Sequence, residues 1–254
     1  MYKNLFDLTG KIALVTGGSR GLGREMVRAY AEAGADVVIA SRKLPQCEEL
    51  AEEIRERFGR RALPYSCNVG DWEQVEGMVE AAYDHFGRLD VLVNNAGLSP
   101  LYPSLNDVGE ALFDKVFNVN LKGPFRATAM VGKRMMEGDG GSIINVSSTA
   151  AFNPNKTTAP YGAAKWALNH MTTTFAMEYG PKVRVNCIVP GPFETDISVG
   201  WIHSEAFAER AEAHIALKRG GKPGEIVGAA LYFASDASSF TTGTTLRVDG
   251  GTFG

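Results

Sequence analysis

Seven short runs rich in β-branched and apolar residues, at 11–16, 36–41, 62–67, 90–94, 141–147, 182–188 and 244–248, alternate along the chain with longer helical patterns. No other feature constrains the fold as much. Parallel strands need crossover connections of a dozen or more residues, and the usual crossover is a helix. Ala35-Asp36-Val37-Val38-Ile39-Ala40 and Ser142-Ile143-Ile144-Asn145-Val146 are near-continuous apolar runs, as expected of strands covered on both faces. The expectation is an α/β chain built on a parallel sheet.

At 254 residues the chain is long enough to bury a sizeable core as one large domain, 1–254, and it shows no repeat or low-complexity tract. Hydrophobic residues are 44% and charged ones 22%, and the formal net charge is −3. That composition is ordinary for a soluble protein and gives no basic excess for nucleic acid. Cys47, Cys67 and Cys187 are odd in number and far apart, so neither a disulfide framework nor a metal cluster is expected, and a cytoplasmic location is the simplest. His85, His170, His203 and His214 share no ligand-like spacing. No signal-peptide pattern opens the chain and no run approaches 18 apolar residues, so no membrane partner is expected.

The turn Thr16-Gly17-Gly18-Ser19-Arg20-Gly21-Leu22-Gly23 lies between a predicted strand and a predicted helix, the context of a phosphate-binding loop. Gly17 and Gly21 can take positive φ, and missing side chains let a pyrophosphate approach the helix N-terminus. About twenty residues on, where an NAD-binding chain usually carries an acidic residue for the ribose, this one has Ser41 and Arg42. An arginine there can take a 2′-phosphate, and with Arg20 as a second cation, preference for NADP(H) over NAD(H) by about two to four powers of ten is expected. The competing reading leaves both arginines as solvated surface charges. Asn68-Val69, after the third strand, is placed to meet the adenine edge. Asn94-Asn95-Ala96-Gly97, after the fourth, offers close approach to the cofactor; either segment can instead be plain turn chemistry.

Thr158 and Pro160 read as the cap and first-turn proline of a helix that carries Tyr161 and Lys165 and ends near Gly180-Pro181. Four residues apart, the phenol and the ammonium share one face. Bringing a phenol from about 10 towards neutrality needs roughly 3–4 kcal/mol. A lysine cation at roughly 4–5 Å supplies about that much in an effective dielectric near 20. An isolated Tyr-x-x-x-Lys is more often surface decoration, so the pair gains weight only from its partners. The stretch 192–222 lacks a strand pattern and reads as a lid over a site, or as one or two packing helices.

With these motifs in this order, together with Asn120, Ser148 and Pro190-Gly191-Pro192-Phe193-Glu194-Thr195, the whole chain resembles the short-chain dehydrogenase/reductase family. The resemblance implies a doubly wound Rossmann-like domain, a seven-stranded parallel sheet with helices on both faces. It makes Tyr161 the general acid/base, and has Lys165 depress the tyrosine pKa and hold the nicotinamide ribose. Ser148 would polarise the substrate oxygen, being favoured over Ser147 by its spacing to Tyr161, and Asn120 would position a relay water. It assigns Gly17, Ser19, Arg20, Gly21, Leu22, Gly23, Ser41, Arg42, Asn68, Val69, Asn95, Ala96, Gly97, Tyr161, Lys165, Pro190, Gly191, Phe193 and Thr195 to the cofactor. Asn68 departs from the family's usual aspartate.

The implied activity is hydride transfer between NADP(H) and a carbonyl or secondary alcohol, with a ketone or 3-oxoacyl thioester, or a sugar or polyol, as the small-molecule substrate. An enoyl reductase is less expected, because those relatives usually separate the tyrosine and lysine more widely. The alternative of another class is a non-catalytic NADP-binding sensor or scaffold. Leu98, Tyr102, Ala150, Asn153, Phe193 and Trp201 are the candidate substrate residues, and Lys156 is the one candidate cation beside them. The family resemblance also implies a homotetramer, or a homodimer, through helices at 110–137 and 159–179 bearing Phe117, Phe125, Met130 and Phe175, and through Tyr232, Phe233 and Leu246. Periodicity alone cannot separate such an interface from core.

Overall fold

The computed structural model describes residues 5–196 and 198–253. The strands are β1 (Ile12–Thr16), β2 (Asp36–Ser41), β3 (Ala62–Ser66), β4 (Val91–Asn94), β5 (Gly141–Val146), β6 (Val183–Pro190) and β7 (Thr245–Val248). They form one sheet in the order β3-β2-β1-β4-β5-β6-β7, all pairs parallel. Each expected strand is present to within two residues at either end.

Alternation of side chains sends one strand into two cores. From β1, Ala13 and Val15 join the layer of α1 (Gly21–Glu32), α2 (Leu44–Phe58) and α8 (Val227–Ala234), while Ile12 and Leu14 face the other side. That second layer holds α3 (Trp72–Phe86), α5 (Gly123–Glu137) and α6 (Ala159–Tyr179). Val37 and Ile39 of β2 divide from Val38 and Ala40 in the same way. Burial on both faces is why these strands read as continuous apolar runs.

The structure departs from the sequence pattern at three places. The helix expected over 110–137 is broken: α4 (Glu110–Phe117) passes through a π-helical turn, Asn118–Lys122, into α5. Thr158 occupies the cap position of α6 but its side chain makes no capping bond; the Ala159 N–H is taken instead by the Tyr102 phenol oxygen at 2.7 Å. Phe233, a candidate interface residue, is fully buried within the chain. Its carbonyl accepts from Ser142 Oγ. Tyr232 is half-buried with its hydroxyl on Thr241, and Leu246 is exposed. Phe117 and Met130 are half-buried, Phe175 is buried, and Phe125 is exposed.

Among the described residues of 192–222 there are turns and one helix, α7 (Glu205–His214). Ile202, Phe207, Ala211 and Ile215 make a small core there. Bridges from Phe193 to Gly221 and from Ile215 to Thr252 tie it down. None of the described helices is long and apolar enough to cross a membrane. Cys47, Cys67 and Cys187 are buried free thiols, and among the described residues no cluster could hold a metal.

Candidate active site

The strand order reverses between β1 and β4, so crossovers leave on opposite sides and a crevice opens at the strands' carboxyl ends. A cleft lies there, lined from the glycine loop at one end to Tyr161 and Lys165 at the other. Its glycine loop is a cradle with no space to spare. A Cβ on Gly17 (φ 64°) would stand 2.9 Å from Ala96 Cα and Asn95 Nδ2, and one on Gly23 would stand 2.2 Å from the Gly17 carbonyl oxygen. Thr16 fastens this loop to the end of β4: its hydroxyl donates to the Val93 carbonyl and accepts from the N–H groups of Asn95 and Ala96. Asn95 Nδ2 donates to the carbonyls of Thr16 and Gly17. Behind the loop, α1 begins with no side-chain cap and no acidic residue in its first turn. Its unpaired N–H groups and positive dipole end face an anion with nothing in competition.

The wall beside β2 carries no carboxylate. Ser19 Oγ donates to Ser41 Oγ at 2.9 Å, and Arg42 stands exposed in the cleft lining with Lys43 and Gln46. Arg20 also lines the cleft, but Nη1 is 3.2 Å from Asp196 Oδ2. Below, Asn68 Oδ1 accepts from the Gly70 N–H and the Asn68 N–H donates to Gln74, which leaves the side-chain amide hydrogens for a ligand. Val69 sits against Gly123, where any Cβ would come within 2.0 Å of the Val69 carbonyl oxygen.

At the other end of the cleft Tyr161 and Lys165 present one face of α6. The Lys165 ammonium is buried, donates to the Val146 carbonyl at 2.7 Å, and lies 5.8 Å from the centre of the Tyr161 ring. Burial lowers its pKa to about 8. Burial also raises the Tyr161 pKa, against which the Ser148 hydroxyl pulls downwards. The expected depression of the phenol by the lysine is therefore not present. Desolvation of both groups, and an ammonium turned to a carbonyl, outweigh the Coulomb attraction of an idealised pair. Tyr161 stands as a protonated phenol.

The two serines separate cleanly. Ser147 is buried and its hydroxyl donates to the Lys165 carbonyl. Ser148 accepts from the Ala150 N–H, and its own hydroxyl meets the Tyr161 phenol. Asn120, in the π-helical turn, is fully buried. Both its amide hydrogens are used, on the Leu98 and Val116 carbonyls, and its Oδ1 accepts from the Leu98 N–H. Gly97 keeps the space between these groups open: a Cβ would lie 3.0 Å from Asn120 Oδ1 and 3.6 Å from Lys165 Nζ.

Gly21, Leu22, Pro190, Thr195 and Leu98 line the cleft as expected. Others do not. The Phe193 ring is buried in the core against Gly221, which removes it from the substrate side chains, and Gly191 is packed on Asp249; both lie outside the cleft lining. Trp201 stacks edgewise on Phe207, Tyr102 caps α6, and the turn holding Ala150 and Asn153 lies beside Ser148 rather than in the lining. Lys156 is exposed and outside the cleft. Asp196, Ser99, Lys43 and Gln46 line it without any sequence signal of their own. Ser198 holds the Thr195 turn by accepting from its N–H.

A family model described as enoyl-(acyl carrier protein) reductase matches residues 17–252. The chain is 38% identical to the 3-oxoacyl-acyl-carrier-protein reductase FabG of Thermotoga maritima, over 96% of this chain and 98% of that protein. Its structure superposes on NADPH-dependent 3-quinuclidinone reductase from Rhodotorula rubra with a TM-score of 0.91 at 33% identity, covering 98% of this chain and 93% of that one. It superposes on a 7α-hydroxysteroid dehydrogenase complexed with NADH and 7-oxo glycochenodeoxycholic acid with a TM-score of 0.93 at 30% identity, covering 99% and 98%. The parallel seven-stranded sheet, the glycine cradle at its switch point and these likenesses along the chain have one meaning: the protein belongs to the short-chain dehydrogenase/reductase family of oxidoreductases.

Proposed function

We propose that the protein is an NADP(H)-dependent reductase of carbonyl compounds, or in reverse a dehydrogenase of secondary alcohols. The observation that carries this is the convergence of Tyr161 and Lys165 at the end of a cleft whose other end is a glycine cradle, with the Ser148 hydroxyl against the Tyr161 phenol. A reduced nicotinamide dinucleotide held there supplies the hydride. Tyr161, kept protonated by burial, gives its phenolic proton to the substrate oxygen; Ser148 donates a hydrogen bond to the same oxygen and polarises it. Lys165 holds a positive charge behind the phenol and would bond the ribose hydroxyls. Asn120 keeps the Leu98 loop in place, with its remaining carbonyl capacity available for a relay water.

Ser41 and Arg42 in place of a carboxylate favour a 2′-phosphate, and the phosphate-bearing NADPH of the quinuclidinone reductase accords with that, although the steroid enzyme holds NADH. For substrate, a ketone or 3-oxoacyl thioester fits the short Tyr-x-x-x-Lys spacing better than an enoyl thioester, with a sugar or polyol as the second reading. The retained tyrosine and lysine speak against a non-catalytic sensor. Exposed Phe113 stacked on Phe117, and exposed Phe125 beside Trp72, support a homotetramer or homodimer through α4 and α5. Three reduced buried thiols suit the cytoplasm.

The test is oxidation of NADPH and NADH across β-ketoacyl thioesters, ketoses, diketones and cyclic ketones, with Arg42→Gln alongside. NADPH should support much the greater kcat/KM, and Arg42→Gln should lower it by about tenfold or more while leaving NADH unchanged. Equal efficiency with both cofactors would remove the NADP assignment, and tight NADPH binding without turnover of any carbonyl would favour the sensor.

A further inference from the structure

Arg20 and Asp196 stand 176 residues apart in sequence and face each other across the cleft. Arg20 is the cap-position residue of α1, but its backbone is extended and its side chain makes no capping bond. The guanidinium leaves the glycine loop and Nη1 meets Asp196 Oδ2 at 3.2 Å. The two walls also touch beside this pair, where a Cβ on Gly21 would lie 3.5 Å from Thr195 Cγ2. Asp196 belongs to the segment after β6, which is anchored upstream by the Glu194 N–H to the Gly221 carbonyl and turned by Ser198. The ion pair thus straps that segment onto the loop that cradles the phosphates.

Both partners are about half exposed, at 51% and 62%. Such a pair contributes little and exchanges readily. Ser19 is hydrogen-bonded to Ser41, so the residue next to Arg20 is already tied to the end of β2, where Arg42 stands. Arg20 therefore sits between two alternative anions: the Asp196 carboxylate on one wall, and a phosphate on the adenine-side ribose at the other.

We propose that Asp196 is a cofactor-discriminating residue: it competes with the ribose 2′-phosphate for Arg20, so that a 2′-phosphorylated cofactor opens the strap and an unphosphorylated one leaves it closed. This rests on the NADP reading for the identity of the competing phosphate. Asp196 limits the advantage of NADP(H) over NAD(H), and cofactor identity sets whether the segment after β6 is tethered or free.

The experiment measures binding of adenosine 2′,5′-bisphosphate and of adenosine 5′-monophosphate by calorimetry to the wild type, Asp196→Asn, Arg20→Gln and the double variant, at low and high salt. Asp196→Asn should tighten the bisphosphate by about two- to fivefold and leave the monophosphate unchanged. The gain should vanish in the Arg20→Gln background and shrink at high salt, where exposed pairs are screened. An equal gain with and without Arg20 would mean plain repulsion between the carboxylate and the phosphate, and no gain would mean no competition; either overturns the proposal. If the wild type binds the two nucleotides equally, the NADP reading fails instead. The strap is then judged by Trp201 emission, five residues beyond Asp196, in a Trp72→Phe, Trp166→Phe background that removes the other two tryptophans. Asp196→Asn and Arg20→Gln should each shift that emission alike in the nucleotide-free protein, and no shift in either would overturn it.

Discussion

Replacing Thr16 by valine removes one oxygen and keeps the shape, so it isolates what a single hydroxyl does at the switch point. That oxygen accepts from two backbone N–H groups, Asn95 at 3.1 Å and Ala96 at 3.1 Å, and donates to the Val93 carbonyl at 3.2 Å. Thr16 itself is 3% exposed, so water has little access to replace it. Each group stranded without a partner costs about 1–3 kcal/mol, and with partial solvent relief at the half-buried Asn95 and Ala96 the loss should be about 2–4 kcal/mol. Thr16→Ser retains the oxygen and gives up one methyl group, about 1 kcal/mol. Urea unfolding of the three proteins at one concentration, without cofactor, reads the difference as a shift in midpoint at constant slope. The glycine cradle is fastened by the same oxygen, so Thr16→Val should also bind NADPH more weakly. A valine variant within about 0.5 kcal/mol of the wild type would refute the reasoning, since no other group replaces those three bonds.

Burial sets the Lys165 pKa at about 8, below its ordinary 10.5, so kcat/KM for carbonyl reduction should fall as pH rises through about 8 and the cation behind Tyr161 is lost. The sign for stability is opposite. The unfolded chain holds that proton up to 10.5 while the folded one releases it from about 8, so this group adds stability across that window, and activity should drop with no unfolding detectable by circular dichroism. Above pH 9 the Cys187 thiol, raised to about 12 by burial, works against stability, so the scan is decisive between 8 and 9. Ser148→Ala should lower turnover by about two powers of ten, whereas Ser147→Ala, whose hydroxyl donates to the Lys165 carbonyl, should lose stability by about 1 kcal/mol and keep most turnover; equal kinetic losses would contradict their separation. Tyr102→Phe removes the acceptor for the Ala159 N–H, so stability should fall by about 1 kcal/mol in a denaturant titration.

The sheet was legible in the sequence because strands buried on both faces leave an unbroken apolar signal, as in Val37-Val38-Ile39. The cradle was legible because its glycines are required by close approach: Gly17 and Gly23 face atoms that no Cβ could avoid. What stayed hidden depends on tertiary direction. The π-helical turn at Asn118–Lys122 interrupts a helix whose apolar period continues past it, so periodicity runs 110–137 together. Phe193 stands in a cofactor motif, yet its ring turns into the core because Gly221 leaves it a place to pack. Tyr161 and Lys165 do share α6, but their electrostatics follow from the Val146 carbonyl and from burial, which spacing along a helix cannot report. The Arg20 to Asp196 contact joins segments with no shared local pattern.

The most direct test of the account is Tyr161→Phe, assayed in parallel for NADPH binding by fluorescence titration and for turnover of the best carbonyl found. In the proposed mechanism the phenol gives its proton to the substrate oxygen, and its removal leaves the cradle of Gly17, Gly21 and Gly23 untouched. The account predicts NADPH affinity within about twofold of the wild type and turnover reduced by at least about two powers of ten. Retained turnover with intact cofactor binding would contradict it, and the proton would have to come from another group.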